Sequence, residues 1–169
     1  MKPTQKSLLR ATASQPSVPP MRGLGSWLAV VLAYQKCSEV LSLAIKPLGL
    51  KLAQHEVLMT LLMTRHTTQP ITQQRLAENS YVTKSHMSGV LTEMAAMGWI
   101  VRNDSAHDKR SKVISLTPQG LMLAKRAYAA QAEVIGVMMQ PLSDRQVDEL
   151  ERTSRSATLA LAEIVQRMS

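Results

Sequence analysis

Two groups of side chains in this chain have the types and spacing for nucleic-acid recognition. Lys84, Ser85, His86, Ser88 and Thr92 fall on one side of a helical stretch, opposite the apolar Met87, Val90, Leu91 and Met94. They supply one cation and several short hydrogen-bonding groups, which is what a helix laid in a major groove needs to reach phosphates and base edges. Thr72 and Gln73, at the start of the preceding short helix, join the same candidate surface. Lys109, Arg110 and Lys112 form the second group, in the polar stretch 103–112, where cations can reach the backbone or the minor groove. Either group alone would pass for a solvated face. Together, in this order and on a basic chain, they favour binding of double-stranded DNA.

Other chemistries lack their residues. His55, His66, His86 and His107 lie in separate elements, and no His-x-x-x-His pair, Cys pair or nearby acidic cluster has metal-ligand spacing. There is no G-x-S-x-G, no P-loop and no dinucleotide fingerprint, so neither an enzyme nor a bound cofactor is expected. The single cysteine, Cys37, excludes an internal disulfide framework, and a lone helical cysteine is usually a small packed hydrophobe rather than a redox sensor.

Composition agrees with the DNA reading. Lys and Arg number 20 against 12 Asp and Glu, a formal charge of +8 that favours a polyanionic partner. Aromatic residues make up only 3%, with no Phe, which weighs against single strands or RNA held on stacked aromatic platforms. At 169 residues, 45% of them hydrophobic, the chain is long enough for one domain with its own core. No secretory leader is visible, and apolar runs such as residues 27–33 are too short to cross a bilayer, so a cytoplasmic protein without a membrane partner is expected.

The elements that must hold these groups can be read from periodicity. Residues 1–22 carry Lys2, Lys6, Arg10 and Arg22 with four prolines and no acid, and read as a basic, disordered tail. Trp27, Val31, Tyr34, Leu41 and Ile45 recur at helical steps over 24–46, and Pro47 and Gly49 end that helix. A second helix is expected over 53–65, with Val57, Leu58, Leu61 and Leu62 on one side. Thr72 caps a short helix over 73–78, Asn79-Ser80 breaks it, and Thr83 caps the next, which runs to Met97 and stops at Gly98.

The period then falls to two. Trp99-Ile100-Val101-Arg102 and Val113-Ile114-Ser115-Leu116 read as strands of a hairpin. Thr117-Pro118 opens a helix towards Gln140, and Ser143-Asp144-Arg145-Gln146 has the form of a capping box for the last one. Along that last helix Val147, Leu150, Ser154, Ala157, Leu161, Ile164 and Met168 form a seam suited to helix-on-helix packing against another chain. The fold class is therefore mainly α with a small two- or three-stranded β wing: a winged helix-turn-helix.

In these motifs the chain resembles the multiple-antibiotic-resistance (MarR) family of bacterial transcription regulators. Ile71-Thr72-Gln73-Gln74-Arg75-Leu76-Ala77 and Val82-Thr83-Lys84-Ser85-His86-Met87-Ser88 look like its helix-turn-helix. Asp108-Lys109-Arg110, followed by Leu116-Thr117-Pro118-Gln119-Gly120, looks like its wing signature. The resemblance covers residues 24–167 and implies a single domain over 23–169. That domain would have terminal dimerisation helices from about 23–50 and 118–169 and a winged helix-turn-helix at about 53–117.

By the same resemblance the protein is a homodimer on a pseudo-palindromic operator, a repressor more than an activator. Arg110 would be the wing-tip residue, with Asp108 supporting it. Many members carry Arg where this chain has Gly89, which removes one candidate contact. Members commonly release DNA when a small phenolic or carboxylated molecule binds. Here Arg22, Trp27 and His55, with Met59 and Met63 beside them, would offer a cation, a flat wall and a polar tip to an aromatic acid. Two other readings keep the fold: a nucleoid-type DNA binder without an effector, and a protein-docking winged helix, which should lack the basic face and wing.

Overall fold

The computed structural model describes residues 21–67, 70–78, 84–104 and 112–168, without the side chains of Glu78, Lys84 and Ser85. The tail over 1–20, the Asn79-Ser80 break, the Thr83 cap and the loop residues Asp108, Lys109 and Arg110 lie outside the described residues. The chain divides into two compact units, residues 1–34 and 35–169.

Helix α1 (Leu24–Ile45) runs through that division, and a single 3-10 turn, Lys46–Leu48, follows it. Gly49 closes the turn at φ 72°, a left-handed conformation that glycine adopts without a Cβ clash. Of the apolar row read along α1, Ile45 is buried, Val31 and Leu41 are half-buried, and Tyr34 and Trp27 are exposed, Trp27 by 59%. Periodicity shows that a helix has an apolar side; it does not say that the partner lies in the same chain. Within Leu24–Leu48 an 18-residue window has a mean hydropathy of 1.5, so by length and composition alone the stretch is long and apolar enough to cross a membrane. Reading residues 27–33 in isolation understates that stretch.

The second unit is built around α2 (Leu52–Thr64), which packs against α4 (Lys84–Ala96), α5 (Pro118–Met139) and the hairpin. Val57, Leu58 and Leu61 of α2 meet Leu76 of α3 (Gln73–Glu78) and Met87, Leu91 and Met94 of α4 in one buried cluster. Each such side chain, taken fully out of water, contributes about 1.5–3 kcal/mol. Ala124 and Ala127 of α5 are fully buried, and their small size lets α5 lie close along α2.

Strands β1 (Ile100–Asp104) and β2 (Lys112–Leu116) pair antiparallel, Ile100 opposite Leu116 and Asp104 opposite Lys112. The third strand of the wing is reduced to one bridge, Thr72 with Val113. Both strands reach further towards the loop than period-two alternation indicated. Helix α6 (Asp144–Met168) completes the chain, and none of its residues is buried.

Candidate nucleic-acid interface

The sequence around α4 determines which way its polar residues face. Met87, Leu91 and Met94 are fully buried and Val90 nearly so, which turns His86, Ser88, Gly89 and Thr92 to the exposed side. The end of the helix is fixed just as firmly. Gly98 takes φ 70°, its N–H donates to Ala95 O, and Trp99 N–H donates to Met94 O, the paired bonds of a Schellman stop. Thr117 Oγ1 donates to Gly98 O at 2.7 Å and accepts from Gly120 N at 2.9 Å, so one hydroxyl joins the end of α4 to the start of α5.

Gly120 is required at that elbow. A Cβ there would stand 1.9 Å from the backbone oxygen of Trp99. Gly89 is the opposite case: at its exposed helical position, among the described residues, no atom beyond its chain neighbours and its own helix backbone lies within 4 Å of where a Cβ would stand.

The start of α2 anchors the other side of α4. Lys51 N–H donates to Gln54 Oε1 at 3.0 Å, and Gln54, only 1% exposed, donates through Nε2 to Glu93 of α4 at 3.1 Å. Lys51 Nζ lies 3.0 Å from the same carboxylate. The ion pair is solvated and contributes little by itself; the buried amide between the two helices does more to fix their spacing.

Several expected contact residues have structural duties as well. Thr92 Oγ1 donates back to Ser88 O within α4 at 2.9 Å. Thr72 Oγ1 accepts from Arg75 N at 3.3 Å, as a cap of α3, and Thr72 also forms the bridge to Val113, while Gln73 is half-buried. Lys112 forms an ion pair with Asp104 at the loop end of the hairpin, so its charge is partly answered within the chain.

One basic residue of this surface was missed from the sequence. Arg102, half-buried in β1, donates from Nη2 to Ser88 O at 3.4 Å, and its buried Nε has no partner among the described residues. The signal was present in the strand alternation. Ile100 points inward and Val101 outward, so Arg102 returns to the inner face, next to the exposed row of α4.

The residues read as ligand-binding divide between the units. Arg22 and Trp27 are exposed in the first. In the second, His55 and Met59 are core side chains, 3% and 9% exposed, whereas Met63 is 59% exposed. Burial holds the His55 imidazole below its ordinary pKa, because the charged form would lose its hydration. Cys37 is half-buried in α1. Among the described residues no group of His, Cys, Asp and Glu is arranged to hold a metal ion.

Comparison with known proteins converges on one family. The MarR family model matches residues 50–112. An HTH-type transcriptional regulator of Bacillus cereus is 34% identical over 105 residues, which span 62% of this chain and 67% of that protein. The organic hydroperoxide resistance transcriptional regulator of Bacillus subtilis is 31% identical over 101 residues, 59% of this chain and 67% of that one. Among solved structures, a MarR family protein of Mycobacterium tuberculosis in complex with salicylic acid is 29% identical with a TM-score of 0.60, covering 79% of this chain and 95% of that one. The MepR–DNA complex of Staphylococcus aureus is 19% identical with a TM-score of 0.69, covering 80% and 96%.

Proposed function

The chain belongs to the MarR family, a family of transcriptional regulators, and we propose that it is a cytoplasmic repressor that binds double-stranded operator DNA as a homodimer and is released by a small aromatic acid. The observation that carries the DNA part is the exposed row His86, Ser88 and Thr92, held outward by a fully buried opposite face and flanked by Arg102 and the base of the hairpin. Lys84 and Ser85 open the same helix, and Lys109 and Arg110 fall in the sequence between the two strands. A net charge of +8 adds the long-range attraction to a phosphate backbone.

The dimer is supported by what the single chain leaves uncovered. Leu150, Leu161, Ile164 and Met168 of α6 are 42–83% exposed along one seam, and monomeric proteins rarely present such a surface to water. Residues 23–50 and 118–169 are proposed as the dimerisation region, 53–117 as the winged helix-turn-helix, and 1–22 as a basic tail. In this arrangement two α4 helices enter successive major grooves, about 34–36 Å apart. The small aromatic acid is supported by the relative solved with salicylic acid.

Selection of binding sites from random double-stranded DNA by the full chain tests the reading. An inverted repeat should emerge, bound by two chains per site as counted by analytical ultracentrifugation. Binding without sequence preference would instead indicate a nucleoid-type protein, and no binding at low salt would indicate a protein-docking winged helix. Arg110→Ala should weaken operator binding by about 1–3 kcal/mol with folding intact.

A further inference from the structure

A cavity of about 480 Å³ lies within the second unit, between the end of α2, strand β2 and the first turn of α5. That volume is in the range of small-molecule sites, about 300–1,000 Å³. Its walls are mostly apolar, including Leu61, Ile71, Leu116 and Leu121. Among the described residues the lining contains no acidic side chain and one full charge, the guanidinium of Arg65.

The three threonine hydroxyls around the cavity are already committed as donors, while among the described residues that of Ser115 is not. Thr64 Oγ1 donates to Thr60 O, Thr67 Oγ1 to Thr64 O and Thr117 Oγ1 to Gly98 O. Arg65 differs. Its Nε donates to His66 Nε2 at 2.8 Å, which orients the group, and its Nη nitrogens have no partner among the described residues. The site therefore offers a forked cation at its rim and an apolar interior, a match for a compact apolar body carrying one carboxylate.

The location also gives the ligand something to move. Ile71 and Val113 both line the cavity and both belong to the junction between the start of α3 and the wing. Ile114 N–H donates to Ile71 O at 2.8 Å, and Val113 is bridged to Thr72. A molecule seated against these residues bears on the joint between the helix-turn-helix and the hairpin. It can shift DNA affinity if it binds the two arrangements of that joint unequally.

We infer that this cavity, rather than the grouping of Arg22, Trp27 and His55, is the binding site for an aromatic or branched monocarboxylate, with Arg65 holding the carboxylate. The inference rests on the effector part of the proposed function and assigns it a place. The test uses the full chain without DNA, titrated with salicylate by calorimetry. The wild type should bind one salicylate per chain. Arg65→Glu should weaken binding about tenfold or more, since a charge-assisted bond is lost and a like charge is added. Arg65→Lys, which keeps the charge, should stay within about threefold. Arg65 is exposed, so both variants should give the wild-type circular dichroism spectrum.

Equal affinity of wild type and Arg65→Glu, or no saturable binding by the wild type, overturns the site. Salicylate release of operator DNA is measured separately. Release that persists unchanged in Arg65→Glu places the effector elsewhere and leaves the effector reading standing. Salicylate binding that depends on Arg65 but never affects DNA keeps the site and removes its effector role.

Discussion

Helices α4 and α6 carry the same kind of apolar spacing and end in opposite surroundings. In α4 the row Met87, Leu91 and Met94 is excluded from solvent, covered by α2 and the hairpin. In α6 the row Leu150, Leu161, Ile164 and Met168 remains in water. A three–four repeat states only that a helix needs a partner. For α4 the chain brings one, because α2, α3 and β1 stand on every side of its apolar face. In α6 no residue is buried. The two faces should therefore fail differently when damaged, one through folding and the other through association.

The largest effect is expected at α6. Leu161→Glu with Ile164→Glu places two carboxylates in the proposed seam, where burial of unpaired charge is prohibitive. The pair of changes should abolish the dimer and specific DNA binding while the α2–α4 core keeps its structure. Sedimentation and circular dichroism on the same sample separate the two effects. A double variant that stays dimeric would show that α6 is not the joining surface. Leu91→Ala in α4 should do the reverse, lowering the unfolding free energy by about 2–5 kcal/mol in a denaturant titration through the cavity it leaves.

Next in size is the elbow between the hairpin and α5. Gly120→Ala drives a methyl into the carbonyl oxygen of Trp99, which is backbone and cannot rotate aside. The elbow must open, and the stability lost should be about 1–3 kcal/mol or more, seen as a lower midpoint in urea. Because Thr117 links the same elbow to Gly98 at the end of α4, DNA binding should fall as well. A variant of wild-type stability would mean that the close approach is relaxed in solution.

A smaller effect follows from His55 in the core of α2. Its pKa lies below the ordinary 6.5 because burial penalises the imidazolium. The unfolded chain therefore binds a proton that the folded chain does not, in the window from 6.5 down to the folded value. Stability contributed by the neutral ring is complete above 6.5 and falls as pH drops through that window. His55→Leu should flatten this part of the pH–stability curve, measured by urea titration at a series of pH values. An unchanged slope would assign the acid sensitivity to other groups.

Much of this arrangement was legible in the residues, and what was not has physical reasons. The stops at Gly49 and Gly98 and the cap at Thr117 were readable because each rests on local backbone geometry, which a residue type specifies by itself. The buried row of α4 was readable because its partners are nearby in sequence. Arg102 was missed because its environment depends on the register of β1 against β2 and on the distance to Ser88, neither of which is local. His55 is buried on α2, and the elements that pack against α2 include α4 and α5, far along the chain. The cavity at Arg65 joins residues 61–71 to residues 113–121, and no spacing motif encodes a void between such separated segments.

The smallest change expected is at Gly89, and it bears most directly on how α4 divides its two faces. Glycine in a helix interior costs up to about 1 kcal/mol relative to alanine, through the backbone freedom it loses on folding. Where a glycine lets something approach closely, as Gly120 does, that cost has a structural return. At Gly89, among the described residues, no atom beyond its chain neighbours and its own helix backbone stands within 4 Å of the missing Cβ, so nothing there requires glycine. Its neighbours Ser88 and Thr92 are exposed on the surface proposed to meet DNA. Gly89→Ala should therefore raise stability by about 0.5–1 kcal/mol in a urea titration. Its effect on operator affinity then decides why glycine is there. A stabilised variant with unchanged affinity marks the position as open space on the interface, available to a longer side chain. A stabilised variant with weakened affinity shows that DNA approaches the backbone of α4 at this point, which makes Gly89 the counterpart of Gly120, with the close neighbour supplied by the operator.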